Sequence, residues 1–295
     1  VFLYFCKLAK IDSTMPSPRQ LWTPSEKFIQ ESNLTKYANW LKENKNLEFK
    51  DYHSIWQWSI DQPADFWESI WQFFQVKSYT PYQWVKSDEG MPYTKWFGGA
   101  TLNYAEHIFR NKSSSSPAIL FASERHDLTS ISWSELENQT ASLQGYLRSL
   151  EIKTGDRVAA YIPNIPQATV SMLAATSIGA IWSSCSPDFG IESVLDRVRQ
   201  IEPSVLIAVD GYSYGGKRFD RLNVVKEISS QLPSLKKIIL IPYLNEKSDD
   251  IGLEKMICWD EVMKTKSDKL TFDPLPFSHP IWILYSSGTT GMPKA

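Results

Sequence analysis

DRVAAYIP at residues 156–163, QATVSMLAATSIGA at 167–180 and AIWSSCS at 180–186 decide the fold. The first is a short apolar run stopped by Pro163. The second is a nearly all-apolar helical stretch that must be covered on several sides, and the third is another strand. Strand, helix and strand, each without a wide polar face, describe a parallel sheet buried on both sides. Working outward, AILFAS (118–123) reads as a preceding strand, while SVLIAVD (204–210) and KKIILIP (236–242) repeat the buried pattern. FGIESVLDRVRQIE (189–202) puts Ile191, Val194, Leu195 and Val198 on one helix face, closed by Pro203. SELE at Ser134 to Glu137 has capping-box spacing and opens a helix carrying Leu136, Leu143, Leu147 and Leu150, expected to end near Thr154 and Gly155. Right-handed helical crossovers join the strands. The expected class is α/β, with parallel-rich sheets and flanking helices from residue 101 onward.

The first hundred residues differ in kind. They hold Trp22, Trp40, Trp56, Trp58, Trp67, Trp71, Trp84 and Trp96 among helix-like patterns broken by Pro and Gly. Such a set could line a sugar-binding face, but large aromatics more often anchor packing, which is the reading adopted. Residues 15–100 are thus expected to form a mainly helical, Trp-rich cap region. MPSPRQLW from Met15 reads as a natural start, so residues 1–14 are expected to be an upstream extension. In the opening VFLYFCKLAK the lysines follow the apolar run, which is the wrong order for a secretory signal, and the run is too short to span a bilayer.

Composition excludes several classes. With 31 Lys+Arg against 33 Asp+Glu, the net charge of -2 gives no whole-chain attraction to nucleic acid or to an anionic membrane, and neither is expected as a partner. Cys6, Cys185 and Cys258 are odd in number and far apart, which suits a reducing compartment, the cytosol, better than a disulfide framework. His53, His107, His126 and His279 never fall at the i, i+4 spacing of a helical zinc site, so no protein-held metal is expected.

The candidate for chemistry is YSSGTTGMPKA (285–295), directly after the apolar run PIWILY (280–285), itself expected to be a buried strand. A glycine-rich turn at the carboxyl end of such a strand is where open α/β sheets place ligands. Gly288 and Gly291 let the backbone approach an anion. Ser286, Ser287, Thr289 and Thr290 add hydroxyl donors, and Lys294 adds a full positive charge beside Pro293. Donors of every kind with no acid among them suit a polyphosphate. The spacing is not that of a P-loop, and no helix is written after it. A solvated Ser/Thr/Gly linker would have the same composition.

The order of residues favours a site. YSSGTTGMPKA matches the phosphate-binding signature of the adenylate-forming acyl-CoA synthetase superfamily. The resemblance implies activation of a carboxylate by ATP to an acyl-adenylate and pyrophosphate, then acyl transfer to coenzyme A, with Mg²⁺ accompanying the nucleotide. Ser286, Ser287, Gly288, Thr289, Thr290, Gly291 and Lys294 would hold the ATP phosphates. Within the superfamily, LWTPSEKFIQESNLTKYANWL (21–41), DYHSIWQWSIDQPADFW (51–67), KWFGGATLNYAEH (95–107), IWSSCSPDFGIESVLDRVRQIEP (181–203) and DGYSYGGKRFDRL (210–222) resemble the acetoacetyl-CoA synthetases. The implied substrates are acetoacetate, ATP and coenzyme A. Acetyl- or other short-chain acyl-CoA synthesis is the alternative, and a non-catalytic product that only binds ligand or a partner is another. Related acetyl-CoA synthetases meet the nucleotide part of coenzyme A with elements matched here by Phe97, Gly98 and Gly99, and by Tyr214, Gly215, Gly216 and Lys217. For these, a turn packed by Phe97 and a surface loop bearing Lys217 are equally good readings.

The sequence departs from the family pattern at His107, where Asn is expected, and at the end of the chain. The family's adenine-binding segment, Mg²⁺-associated Glu, ribose-binding Asp and small C-terminal domain with its adenylation Lys are not in these 295 residues. The expectation is an N-terminal fragment: residues 101–295 are the first part of an AMP-binding domain, catalytic residues cannot be assigned, and Lys294 lacks a following strand to fix it.

Overall fold

A computed structural model describes residues 21–245, 252, 255–265, 269–286 and 291–295. The proposed upstream extension and Ser287, Gly288, Thr289 and Thr290 lie outside these residues. The chain divides into two compact units at Gln75/Val76.

The first unit is helical: α1 (Glu26–Glu31), α2 (Asn33–Lys45), α3 (Tyr52–Asp61) and α4 (Pro63–Phe73). Ser25, Ser32 and Asp51 start α1, α2 and α3 by accepting backbone N–H bonds from Phe28, Thr35 and Ser54, and Pro63 stands in the first turn of α4, where its missing donor costs nothing. Tyr37, Leu41 and Trp58 form its core with Trp40, Phe49, Phe66 and Phe73 around them. Trp71 is also buried, so the packing reading holds for part of the tryptophan set. Trp22, Trp56, Trp67 and Trp84 are exposed at 40–68% and do not fit it.

The second unit runs through β1 (Trp84–Lys86), β2 (Trp96–Gly98), β3 (Thr101–Leu102), α5 (Tyr104–Phe109), β4 (Ile119–Ser123), β5 (His126–Ile131), α6 (Trp133–Ser149), β6 (Arg157–Tyr161), α7 (Pro166–Ser177), β7 (Ile181–Cys185), α8 (Ile191–Ile201), β8 (Val205–Val209), β9 (Gly211–Tyr214), β10 (Lys217–Asp220), α9 (Leu222–Ser230), β11 (Lys237–Ile241), β12 (Met256–Cys258), α10 (Trp259–Met263) and β13 (Leu275–Pro276). Its centre is a parallel sheet in the order β12-β11-β8-β6-β7. Period-two alternation sends Val205, Ile207 and Val209 of β8 into one core, with Leu143, Leu147, Val170 and Leu173 of α6 and α7. Leu206 and Ala208 enter the other, with Val194, Leu195, Val225 and Ile228 of α8 and α9. Each fully buried Leu or Ile contributes about 1.5–3 kcal/mol, which explains why these strands carry no polar alternates. The nearly all-apolar α7 packs against α5, α6 and β7, as its composition required.

Several expectations need correction. The cap of α6 is Ser132, whose side chain accepts the Glu135 N–H, rather than Ser134. The helix also ends at Ser149, before the expected Thr154 and Gly155; Glu151 takes a positive φ of 54° and turns the chain early. AILFAS is a strand, but it pairs antiparallel with β5 in a separate hairpin. PIWILY is not a buried strand. It runs beside β7 with one bridge, Trp182 opposite Trp282, and Trp282 and Leu284 are exposed while Ile281, Ile283 and Tyr285 are half-buried. An apolar run does not state how many of its faces are covered: Ile283 and Tyr285 pack against the core that holds α8 and α9, while the side bearing Trp282 and Leu284 is exposed. Among the described residues, no helix is long and apolar enough to cross a membrane.

Candidate functional site

The helix after β6 packs on one face of the sheet and the helices after β7 and β8 on the other. The crevice beyond the carboxyl ends of β6 and β8 is therefore a topological switch point, the usual ligand position in open α/β sheets. A cavity of about 300 Å³ opens there. Its walls include Glu124, Asn164, Asp188, Tyr212, Tyr214 and Tyr243, and no Lys or Arg lines it among the described residues.

The segment after β7 is tied down from below. Tyr161, at the end of β6, shares its one hydroxyl proton between the Pro187 carbonyl at 2.7 Å and the Phe189 carbonyl at 2.8 Å. Burial pushes its pKa up to about 12, so it stays a neutral donor. Arg221 Nε also donates to the Pro187 carbonyl at 2.8 Å, and its guanidinium lies over the Tyr212 ring at 5.0 Å. Tyr161→Phe would leave the Phe189 carbonyl without its donor and is expected to cost about 1–2 kcal/mol, read as a lower urea midpoint.

Tyr214, Gly215, Gly216 and Lys217 form the tip of the β9–β10 hairpin, closed by the pair Tyr214 and Lys217. Gly215 and Gly216 have φ of +59° and +72°, the left-handed pair a two-residue hairpin turn requires. Their N–H groups both donate to the Glu124 carboxylate, at 2.8 and 3.0 Å. These two bonds, that from Gly216 first, hold the Glu124 carboxyl below its ordinary range.

Phe97 sits differently. Its ring is 5% exposed and packs against Phe277 at 4.9 Å and Tyr82 at 5.5 Å, while Gly98 passes so close to Trp84 that a Cβ would collide with the indole. Phe97 is thus packed into its surroundings, and neither it nor Gly98 nor Gly99 lines the cavity near Tyr214. His107, the departure from the family pattern, is hydrogen-bonded on both ring nitrogens: Nε2 accepts the Lys77 N–H at 2.9 Å while Nδ1 meets the Asn103 carbonyl at 2.9 Å.

The flanks of the Ser/Gly/Thr loop converge. The Ser286 N–H donates to the Lys294 carbonyl at 3.1 Å, and the Lys294 N–H returns to Ser286 at 3.4 Å. Lys294 thus has a partner without a following strand. The Tyr285 hydroxyl donates to the Arg197 carbonyl at 2.8 Å, and Gln200 Nε2 to the Pro293 carbonyl at 2.8 Å, so α8 holds both sides of the loop. Gly291 has a φ of +106°, which a side chain would resist. The loop base lies beside Cys185, at the same carboxyl end of the sheet as the cavity, and the exposed Lys294 accompanies it. Chemically, this offers donors for an anion and a walled recess for a second group.

Sequence reasoning missed Glu124, Tyr161, Arg197 and Gln200. Tyr161 is indistinguishable from core in a strand, and the others act across 88 or more positions of sequence.

Residues 108–295 match the family model described as AMP-binding enzyme. The chain belongs to the AMP-binding enzyme family. Residues 52–108 of this family member match the model of the acetyl-coenzyme A synthetase N-terminus. It is 37% identical over 284 residues to acetoacetyl-CoA synthetase of Xenopus tropicalis, covering 93% of this chain and 42% of that protein. With acetoacetyl-coenzyme A synthetase of Rhizobium meliloti it shares 36% over 285 residues, covering 95% and 43%. The solved acetoacetyl-CoA synthetase of Streptomyces lividans is similar at a TM-score of 0.87 and 41% identity, over 94% of this chain and 42% of that one. The AMP-binding chain thus spans less than half the length of these relatives.

Proposed function

We propose that these residues are the N-terminal part of a cytosolic ligase that converts acetoacetate, ATP and coenzyme A to acetoacetyl-CoA, AMP and pyrophosphate. The observation that carries the reading is the signature YSSGTTGMPK, closed at its base by Ser286 and Lys294 and set at the carboxyl end of a parallel sheet. Similarity to acetoacetyl-CoA synthetases from animals and bacteria supports acetoacetate over acetate.

In this reading Ser286, Ser287, Gly288, Thr289, Thr290, Gly291 and Lys294 hold the β and γ phosphates. The acetoacetate carboxylate attacks the α-phosphorus and expels pyrophosphate. A carboxylate is already a nucleophile, so this step needs alignment and charge neutralisation rather than a general base. The coenzyme A thiol then loses its proton, attacks the acyl carbonyl and releases AMP, with Tyr214, Gly215, Gly216 and Lys217 meeting the nucleotide end of coenzyme A. Among the described residues no three His, Cys, Asp or Glu groups gather as a metal site. Mg²⁺ would accompany the nucleotide, held largely by its phosphates, and would supply charge neutralisation there.

The test is ATP–pyrophosphate exchange by the full-length protein. Acetoacetate should stimulate it, and Lys294→Ala should lower it by about 10²-fold, the scale of losing one charged transition-state contact. Stimulation by acetate or propionate but not acetoacetate would refute the assigned substrate. The incomplete coverage of the relatives favours a second reading for residues 1–295 alone, ligand binding without turnover; acyl-CoA formation by this chain by itself would contradict it.

A further inference from the structure

The Glu124 side chain has no part in the chemistry above, yet it closes the cavity rim. It stands in the tight turn between β4 and β5, and its carboxylate gathers the N–H groups of two consecutive glycines of another hairpin, 91 and 92 positions away. Its neighbour Arg125 reaches from the same turn to the Leu244 carbonyl at 2.7 Å, and Arg218 of β10 meets that carbonyl at 3.1 Å. The β4–β5 turn therefore clasps the β9–β10 hairpin with one residue and the segment after β11 with the next. Both partners border the cavity, through Tyr214 and Tyr243.

The glycines explain why a clasp is needed. A Cβ at Gly215 or Gly216 would meet nothing within 4 Å, so beyond the strand pair at its base no described residue packs over these two glycines. Two glycines are also the residues with the largest conformational entropy to lose on ordering. Without an anchor, the tip carrying Tyr214, 73% exposed, and Lys217 would sample many arrangements, and a ligand would have to order it on binding.

We propose that Glu124 is a positioning residue for coenzyme A: by fixing the Gly215–Gly216 turn it pre-organises Tyr214, which lines the cavity, and Lys217, paired with Tyr214 across the turn. This rests on the functional reading above, in which that turn meets coenzyme A. It adds a residue outside the matched motifs and predicts a ligand-specific effect. Glu124 faces a nucleotide ligand with the wrong charge for direct phosphate contact, so its contribution comes through the turn.

The experiment is calorimetric titration of coenzyme A, and separately of ATP, into the full-length wild-type protein, Glu124→Ala and Glu124→Gln, with hydrogen exchange of the Gly215 and Gly216 amides. Glu124→Ala should weaken coenzyme A binding by about tenfold and expose both amides, with ATP affinity and melting temperature unchanged. Glu124→Gln, which keeps one acceptor oxygen, should fall between the two. Unchanged coenzyme A affinity in Glu124→Ala overturns the proposal. Tighter binding also overturns it, by showing that the carboxylate competes with the ligand for the two N–H groups. A parallel loss of ATP affinity and melting temperature overturns it as well, in favour of general stability. Absence of coenzyme A binding by the wild-type protein would overturn the functional reading and this proposal together; binding that ignores Glu124 overturns this proposal alone.

Discussion

Replacing Asp210 by alanine is expected to destabilise the parallel-sheet unit by about 3–5 kcal/mol, the combined cost of several buried donors left without their acceptor at about 1–3 kcal/mol each. Asp210 follows the last residue of β8 and is 1% exposed. Its Oδ1 accepts the N–H groups of Tyr243 and Leu244 at 2.7 and 2.6 Å, and its Oδ2 accepts the N–H and Nδ2 of Asn245 at 2.8 and 3.0 Å. Four donors on one carboxylate replace the water lost on burial and turn the chain sharply after β11. Alanine would leave the backbone N–H groups of Leu244 and Asn245 without their acceptor, in a segment where Leu244 is itself buried, while the Tyr243 N–H keeps only the Ile241 carbonyl at 2.9 Å. Asp210→Asn keeps one oxygen but sets an NH₂ against N–H donors, so its loss should be smaller, about 2–3 kcal/mol. Urea unfolding followed by fluorescence measures both, and a midpoint for Asp210→Ala within error of wild type would refute the account. The cavity wall at Tyr243 depends on the same turn, so ligand binding should weaken along with stability.

Asp210 also marks the limit of what the sequence discloses. In DGYSYGGKRFDRL it reads as the polar end of a strand, and its partners lie 33–35 positions downstream. The parallel sheet was legible because strands buried on both faces leave an uninterrupted apolar record, as in VLIAV and KIILI. Where a face is open the record becomes ambiguous, and PIWILY was overread for that reason: Trp282 and Leu284 are apolar and exposed. The hairpins were illegible for a different cause. β5, HDLTSI, is almost entirely exposed and has little apolar alternation to betray it. Gly215 and Gly216 were legible as part of a surface loop, but the carboxylate they grip was not, because paired N–H groups can donate to any acid that the fold delivers. The Ser/Gly/Thr loop lay at the opposite extreme, since its residue types state their chemistry. Its attachment to α8 through Tyr285 and Gln200 is tertiary and could not be read from its order.

Asn103→Asp is expected to cost about 3–5 kcal/mol at neutral pH, although it changes a single NH₂ to an oxygen. Asn103 is 1% exposed. Its Oδ1 caps α5 by accepting the Ala105 N–H at 2.9 Å. Its Nδ2 lies 3.2, 3.0 and 3.0 Å from the carbonyl oxygens of Thr176, Ser177 and Asp273, joining the end of α7 to the segment before β13. A carboxylate would keep the cap but turn a donor into a negative charge facing three acceptors. The sign of the pH dependence follows. In the folded variant the introduced acid is driven towards its neutral form, so its folded pKa lies above the unfolded value near 3.9. The penalty is small below that unfolded value and grows as pH rises through it, up to the folded pKa, above which it is constant. Urea midpoints measured from pH 4 to pH 8 should therefore diverge increasingly from wild type. Asn103→Ala, which loses the cap and the donor but adds no charge, should show a smaller loss of about 2–3 kcal/mol with no added pH dependence. A pH-independent loss in Asn103→Asp, equal to that of the alanine variant, would mean that the three carbonyls find other donors and that the Nδ2 contacts do not hold α7 to the segment before β13.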